Sequence, residues 1–241
     1  MTGPDAARPS SYGALGHYLG EMGEAYFDWQ GRPGVLQGLW NRHLWQPHIG
    51  RNDDVLDFGC GGGFLLHVLD ARSKVGVEVN PRAAESARGL GIATFATLAD
   101  VPNQFDRIIT SHVLEHIPHP RQAIIELRGK LRDDNSRLLI LLPLDDWRNR
   151  ANRSYRRADR NRHLQAWTPQ TLGNLLTSCD LDVLDLRVVR QAWPPGANLL
   201  WKLSPRVFRI ASRVWAVVAR RYQLFAVCRR PPLQGGREPA T

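Results

Sequence analysis

One short stretch, VLDFGCGGGFLL at residues 55–66, constrains the fold of this chain more than any other feature. It begins with the apolar residues of a buried strand and ends with the apolar residues of a helix. Between them Gly59, Gly61 and Gly63 stand at alternate positions, shortly after the acidic Asp57 inside the strand. Glycines in such a turn let the backbone approach a ligand, and the helix start offers open N–H groups. The stretch therefore predicts a ligand-binding loop between a strand and a helix.

The chain repeats this alternation of strand and helix as far as residue 144. The segment LLILLPL at 138–144 is apolar, which is typical of a strand buried on both faces of a parallel sheet. We predict a doubly wound α/β sheet whose ligand lies beyond the carboxyl ends of the strands. The predicted strands are residues 55–58, 74–79, 92–95, 105–111 and 136–143.

The second part of the chain does not continue this regular alternation of strands and helices. An insertion at 145–167 precedes a helix that begins at Thr168 and Pro169, and a strand at 181–189 follows. A helix at 205–221 separates that strand from a last strand at 222–230, so these two strands can be antiparallel neighbours. We divide the chain into a tail with ligand-covering helices (1–50), a main α/β domain (51–230) that includes the insertion and the helix at 205–221, and a disordered tail (231–241).

Composition limits where such a chain works. With 241 residues and 43% apolar content, it can bury one substantial core. Cys60, Cys179 and Cys228 are too few and too scattered for a disulfide framework, which favours a reducing cytoplasm. The longest apolar run is far shorter than the roughly 20 residues that cross a bilayer. We expect a cytoplasmic protein, either in solution or at the inner face of the membrane.

The acidic residues around the glycine loop indicate which ligand it holds. A dinucleotide fingerprint placed on Gly59 and Gly61 needs a small residue at position 64, where Phe64 stands instead. Asp57 suits an ammonium group, and Glu78, at the end of the second strand, can accept hydrogen bonds from both hydroxyls of a ribose. An amino acid joined to a nucleoside satisfies both, and S-adenosylmethionine is such a molecule.

Four segments in this order carry a family resemblance: VLDFGCGGG, VGVEVNP, FDRIITSHVLEHIPHP and LLILLPL. Together, over about residues 55–144, they resemble the class I S-adenosylmethionine-dependent methyltransferases. The resemblance implies a seven-stranded sheet with an antiparallel last strand. It also implies the cofactor contacts: the loop Gly59 to Gly63 and Ser111 and His112 at the methionine end, Glu78 at the ribose, Thr97 and Leu98 at the adenine, and Tyr26 as a cover.

Two histidines are candidates for the chemistry. His163 lies near the end of the insertion, on the acceptor side of the crevice, and is predicted to act as a general base, with His116 as the second candidate. In some quinone O-methyltransferases a stretch like His112, Glu115 and His116 binds a divalent ion, but with an acid where His112 stands. We assign no metal. The alternatives are that Glu115 and His116 only support the loop and that the insertion is a solvated basic loop.

Positive charge is concentrated late in the chain. The net charge is +9, and the helix at 205–221 carries Arg206, Arg209, Arg213 and Arg220 beside many apolar residues. Such a helix is typical of a peripheral membrane contact, and equally of a helix packed on its own sheet or on a second subunit. We favour packing, and the oligomeric state stays open.

These observations favour an enzyme that methylates a small or glycan acceptor, by O-methylation of an anionic or sugar-containing substrate. An RNA or DNA methyltransferase is the alternative, because the net charge of +9 suits nucleic acid. The chain lacks the Asn-Pro-Pro-Tyr type motif of amino-directed enzymes after the fourth strand, where SHVLEH stands. A non-catalytic cofactor-binding protein is disfavoured by the intact Asp57, glycine loop and Glu78.

Overall fold

The computed structural model describes residues 18–145, 154–155 and 163–232. In these residues a seven-stranded sheet forms the centre of the fold. The strand order is β3-β2-β1-β4-β5-β7-β6. Neighbouring strands are parallel except for β7, which runs antiparallel to both β5 and β6. The predicted fold is therefore confirmed, including its antiparallel last strand. The strands are β1 (Asp54–Phe58), β2 (Ser73–Val77), β3 (Ala93–Phe95), β4 (Arg107–Ser111), β5 (Arg137–Pro143), β6 (Asp182–Val189) and β7 (Gln223–Arg229).

Helices cover both faces of this sheet, and several begin where the sequence indicates. Asn80 caps α4 by accepting hydrogen bonds from the N–H groups of Arg82 and Ala83, and Thr168 forms a capping box with Thr171 at the start of α6. The helices are α1 (Gly20–Gln30), α2 (Val35–Trp45), α3 (Phe64–Val68), α4 (Pro81–Gly89), α5 (Pro120–Gly129), α6 (Pro169–Ser178), α7 (Ala197–Leu203) and α8 (Pro205–Val218).

Alternate residues of the central strands belong to two separate cores. In β1, Leu56 lies in the core on one face of the sheet and Val55 in the core on the other. Leu138 and Leu139 divide in the same way along β5. A strand buried on both faces must be apolar at every position, which is the pattern that the sequence of β5 shows. Cys60, Cys179 and Cys228 are buried and free, as expected.

Helix α8 packs on the protein through only part of its apolar surface. Phe208 and Ala216 are buried, but Ile210, Val214 and Val218 are exposed. Apolar residues occupy more of the helix circumference than one contact can cover, so one apolar side faces the core and another faces solvent. Within the described residues, no helix is long and apolar enough to cross a membrane.

The parallel strands end together at one edge of the sheet. Ser111 of β4 pairs with Leu141 of β5, and Pro143 and Val189 both pair with Gln223 at the start of β7. The loops after β1, β4, β5 and β6 consequently meet at this edge. It is the place where open α/β sheets bind their ligands.

Candidate active site

The loop after β1 needs glycine for two physical reasons at Gly59. Its φ angle is 81°, in the left-handed region that side chains disfavour. A Cβ atom there would also lie 2.3 Å from Cγ2 of Val113, which follows β4. The backbone N–H groups of Gly59 and Cys60 donate to the carbonyl of Val77, at 2.8 and 3.1 Å. The loop is therefore pinned to β2, and Gly63, at the N-cap of α3, completes the turn.

Glu78 ties this loop to the end of β2. Its Oε2 atom accepts the N–H of Gly61 and its Oε1 atom accepts the N–H of Asn80, both at 2.8 Å. Burial raises the pKa of Glu78, while these backbone donors act in the opposite direction. Each carboxylate oxygen has a second lone pair, and the side chain lines the pocket beside the loop. The carboxylate is thus held where it can accept two further hydrogen bonds.

Asp57 is a buried acid with an unsatisfied oxygen. Its exposure is 3%, and its Oδ1 atom has no hydrogen-bond partner among the described residues. Burial, with the neighbouring charge of Glu78, raises the pKa of Asp57 to about 8. A buried acceptor of this kind calls for a donor from outside the chain. An ammonium group satisfies it, so Asp57, the glycine loop and Glu78 together fit S-adenosylmethionine.

The structure brings most of the predicted cofactor residues into one pocket and leaves three outside it. The pocket wall includes Tyr26, Gly59, Gly61, Glu78, Ser111, His112 and His116. Asp57 lines the adjoining cavity with Gly59, Gly61 and Ser111. Gly63 is buried in the turn, Leu98 is 1% exposed in the core, and Thr97 donates from Oγ1 to Asp100. The adenine contacts at Thr97 and Leu98 stay predictions.

Helix α1 covers the pocket, as its sequence position suggested. The Nδ2 atom of Asn80 donates to the carbonyl of Gly23 at 2.8 Å, which anchors α1 over the start of α4. The ring of Tyr18 lies edge-on to Tyr26 at 5.3 Å and to His116 at 5.4 Å. Tyr18 is a pocket residue that the sequence analysis missed, because an aromatic residue before a helix resembles an ordinary packing residue.

His163 is paired with an acid that sequence reasoning also missed. Its Nδ1 atom lies 2.8 Å from Oδ2 of Asp145, whose side chain is 4% exposed. Asp145 stands two residues after the end of β5 and donates its N–H to the carbonyl of Trp167. The only available signal was an acid just beyond a buried strand, at the ligand-binding edge of the sheet. The geometry is that of a histidine oriented by a carboxylate.

Main-chain contacts place His163 beside the loop after β4. The N–H groups of Leu164 and Gln165 donate to the carbonyl of Glu115, at 2.7 and 3.1 Å. The imidazole rings of His163 and His116 consequently lie 5.0 Å apart. Because His116 lines the pocket that holds most of the predicted cofactor residues, His163 lies next to that pocket. Its place on the acceptor side stays a prediction.

Glu115 is fully buried and lies beside His112 and His116. Its Oε1 atom is 3.3 Å from Nδ1 of His112 and 3.9 Å from Nε2 of His116. Burial acts to lower the pKa of His112, but the hydrogen bond and charge of Glu115 outweigh it and raise that pKa. The Oε2 atom of Glu115 has no hydrogen-bond partner in the described part of the chain.

Glu115, His116 and His163 also offer ligand atoms within 4.8 Å of one another, a grouping that could hold a metal ion. The assignment of no metal stays a prediction. The expectation that the Arg-rich insertion contacts an anionic acceptor falls on residues 146–153 and 156–162, which lie outside the described residues.

Comparisons with known proteins agree with this geometry. The family described as "methyltransferase domain" matches residues 30–186. A ubiquinone biosynthesis O-methyltransferase of Schizosaccharomyces pombe is 26% identical over 144 residues, covering 51% of this chain and 52% of that protein. A tRNA U34 carboxymethyltransferase of Shewanella loihica is 26% identical over 216 residues, covering 73% of this chain and 64% of that protein. The chain thus spans less than two thirds of the length of these relatives.

A solved structure shows the same fold. An S-adenosylmethionine-dependent methyltransferase from Thermotoga maritima superimposes with a TM-score of 0.57 at 15% sequence identity. The superposition covers 85% of this chain and 95% of that one.

Proposed function

Because this chain belongs to the methyltransferase domain family and has the fold of the S-adenosylmethionine-dependent enzymes, we propose that it methylates a hydroxyl group of a small-molecule acceptor. The observation that carries the proposal is the contact between Asp145 and His163 at the acceptor side of the pocket. A hydroxyl acceptor must lose a proton as its bond to carbon forms, whereas an amine can react through its own lone pair. An oriented histidine is the group that such an acceptor needs.

The residues of the chain divide the work of this reaction. Bound S-adenosylmethionine supplies an electrophilic methyl group on a positively charged sulfur. Asp57 and Glu78 hold the cofactor at its ammonium group and its ribose. Asp145 accepts the Nδ1 proton of His163, which makes Nε2 the nitrogen that takes the hydroxyl proton. Most of the remaining catalysis comes from alignment and exclusion of water by the helices over the pocket.

The curated relative named as a ubiquinone biosynthesis O-methyltransferase supports transfer to oxygen on a small molecule. A sugar hydroxyl and a phenolic hydroxyl both fit the oriented histidine, so the acceptor class includes both. A saccharide or otherwise anionic acceptor was the sequence-based expectation, motivated by the arginines of the insertion. The seven arginines between residues 148 and 162 all lie outside the described residues.

Methylation of tRNA is the second candidate. The relative named as a tRNA U34 carboxymethyltransferase aligns with 73% of this chain, and the net charge of +9 suits a polyanion. The pair of Asp145 and His163 suits a hydroxyl acceptor, and RNA offers ribose hydroxyls as well. Methylation of tRNA stands second because the chain lacks the Asn-Pro-Pro-Tyr type motif of amino-directed enzymes.

The test presents methyl-labelled S-adenosylmethionine with a phenol bearing adjacent hydroxyls, a hexose phosphate, an aromatic amine and unmodified tRNA. We expect label in a phenol or sugar product whose mass and NMR spectrum show an O-methyl group. The Asp145→Asn and His163→Ala variants should lose this product, while His67→Ala, at an exposed histidine on α3, should retain it. Transfer to the amine or tRNA alone would contradict the proposal.

A further inference from the structure

Helices α7 and α8 present an apolar surface to solvent. Its most exposed members are Leu199 and Leu203 at 73% each, Val218 at 66%, Ile210 at 63% and Val214 at 59%. Ile210, Val214 and Val218 are four residues apart and follow one side of α8. We call these five residues the α7–α8 face. An apolar patch of this kind on a protein surface marks a contact with another apolar phase or molecule.

Packing of α8 on the protein does not need this face. The helix is anchored through its opposite side, where Phe208 stacks on Trp40 at 5.4 Å and meets Trp201 edge-on at 5.4 Å. Ser212 and Ala216 continue the buried side. The α7–α8 face is therefore not used for packing within the described part of the protein.

Positive charge flanks the same face. Lys202, Arg206, Arg209, Arg213 and Arg220 lie on or beside α7 and α8, and the sequence has no acid between Asp185 and Glu238. None of these five cations forms an ion pair within the part of the chain that the structure describes.

A cleft on the basic side of α8 is lined by Arg209, Arg213, His43 and the hydroxyl-bearing Ser212, with Arg187 across it paired to Asp185. Burial lowers the pKa of His43, and the charges of Arg209 and Arg213 lower it further, which indicates a positive local potential. We therefore expect this cleft to attract anions.

We propose that the α7–α8 face binds the surface of an anionic phospholipid bilayer. The apolar residues would enter the boundary between headgroups and acyl chains, and the flanking arginines would contact lipid phosphates. A second copy of this chain is a poorer occupant, because a symmetric contact brings arginines against arginines. Nucleic acid complements the charge but leaves the apolar residues in water.

The position of α7 and α8 in the chain relates the proposed bilayer contact to the pocket. Both helices connect the end of β6 to the start of β7, and Val189 and Gln223 at these ends are paired at the ligand-binding edge of the sheet. The Oε1 atom of Gln223 lies 3.3 Å from Nε2 of His112, a pocket residue. The segment that carries α7 and α8 therefore starts and ends at the same edge of the sheet as the pocket. The proposal rests on the surface itself and does not depend on which acceptor is used.

The test is cosedimentation of the whole protein with phosphatidylcholine vesicles, with and without phosphatidylglycerol. We expect binding only to the anionic vesicles, and release at about 0.5 M salt because surface charges are then screened. Ile210→Asn with Val214→Asn should weaken the partition at least about tenfold. Arg206→Gln with Arg213→Gln should weaken it about fivefold for each arginine. Met22→Asn, at a residue of α1 that is 56% exposed, is the matched control and should bind as the wild type does.

Melting temperature and S-adenosylmethionine affinity should stay unchanged in all variants, because the substituted residues are exposed and lie outside the cofactor pocket. Wild-type protein that stays in the supernatant, or that binds neutral vesicles equally well, would overturn the proposal. So would apolar variants that bind like the wild type. A dimer that the Ile210 and Val214 substitutions dissociate, without vesicle binding by the wild type, would assign the face to a second copy.

Discussion

Oδ2 of Asp145 and Nδ1 of His163 lie 2.8 Å apart, although 18 residues separate them in the chain. The contact joins the end of a central strand to the end of an insertion. It selects the tautomer of His163, because a proton on Nδ1 leaves Nε2 as the basic nitrogen. The proposed proton transfer depends on this relationship more than on either residue alone.

The first prediction concerns this pair. Asp145→Asn should reduce kcat by on the order of a hundredfold, because an amide can stabilise the wrong tautomer and does not balance the imidazolium that forms. His163→Ala should reduce kcat about as much, and the double variant should lose little more, since the two residues act as a unit. Steady-state kinetics with a hydroxyl acceptor measures all three, and cofactor affinity should stay within a few-fold of wild type.

Removal of divalent ions by a chelator distinguishes two roles of His163, that of a general base and that of a metal ligand. As a base, His163 should give a rate that EDTA does not change. A rate that EDTA abolishes and a divalent ion restores would instead make Glu115, His116 and His163 metal ligands, in conflict with the role assigned here.

The second prediction concerns Glu78. Glu78→Ala should weaken S-adenosylmethionine binding by roughly tenfold to a hundredfold, the usual cost of losing a hydrogen bond to a charged group. Loss of its contacts to Gly61 and Asn80 should add to the effect by loosening the loop. Isothermal titration calorimetry measures the affinity, with Glu85→Ala on the exposed side of α4 as control. Equal affinities in the two variants would remove Glu78 from the site.

The third prediction is a pH dependence set by Asp57. With a pKa of about 8 in the folded protein, this carboxyl is mostly protonated at pH 6 and must ionise to bind an ammonium group. S-adenosylmethionine affinity should therefore increase between pH 6 and 7.5, with proton uptake by the buffer. Asp57→Asn should bind weakly and lose this dependence. A wild-type affinity that is flat over this range would contradict the assignment.

The same shift has an opposite consequence for stability. A carboxyl whose folded pKa is raised above its unfolded value stabilises the fold when protonated, and this stabilisation is lost as pH rises toward about 8. The melting temperature of the ligand-free wild type should therefore fall relative to Asp57→Asn over this interval. Differential scanning calorimetry at several pH values checks the sign, and a constant difference would refute it.

The fourth prediction compares two glycines. Gly59→Ala should lower the free energy of unfolding by about 1–3 kcal/mol and weaken cofactor binding, because its φ is positive and its Cβ would collide with Val113. Gly89→Ala, in α4, meets no atom within 4 Å and should be neutral or stabilising. Urea denaturation measures both, and equal effects would show that the collision is relieved without cost.

The sequence predicts the regular part of this fold well, because local signals there agree with the tertiary structure. The cap at Thr168 places the start of α6 correctly, and the apolar run of β5 indicates burial on both faces. Helix α7 was missed, because it begins at Ala197 just after Pro194, Pro195 and Gly196, a sequence typical of a turn.

Site residues could be predicted from the sequence only where one short segment carries several features that point to the same ligand. Asp57, the glycines and Glu78 stand in or beside such segments, whereas Asp145 acquires its role through a partner distant in sequence. The exposed side of α8 could not be chosen from periodicity. Its apolar residues extend around much of the helix, and only the position of Trp40 decides which side is buried.

The carbonyl of Glu115 accepts hydrogen bonds from the N–H groups of Leu164 and Gln165, and these bonds involve no side chain. Peptide groups are the same in every residue, so substitutions at positions 116 and 163 leave this join between the two loops in place. Side chains at these two positions could therefore be changed one at a time while the two loops stay joined through their main chains.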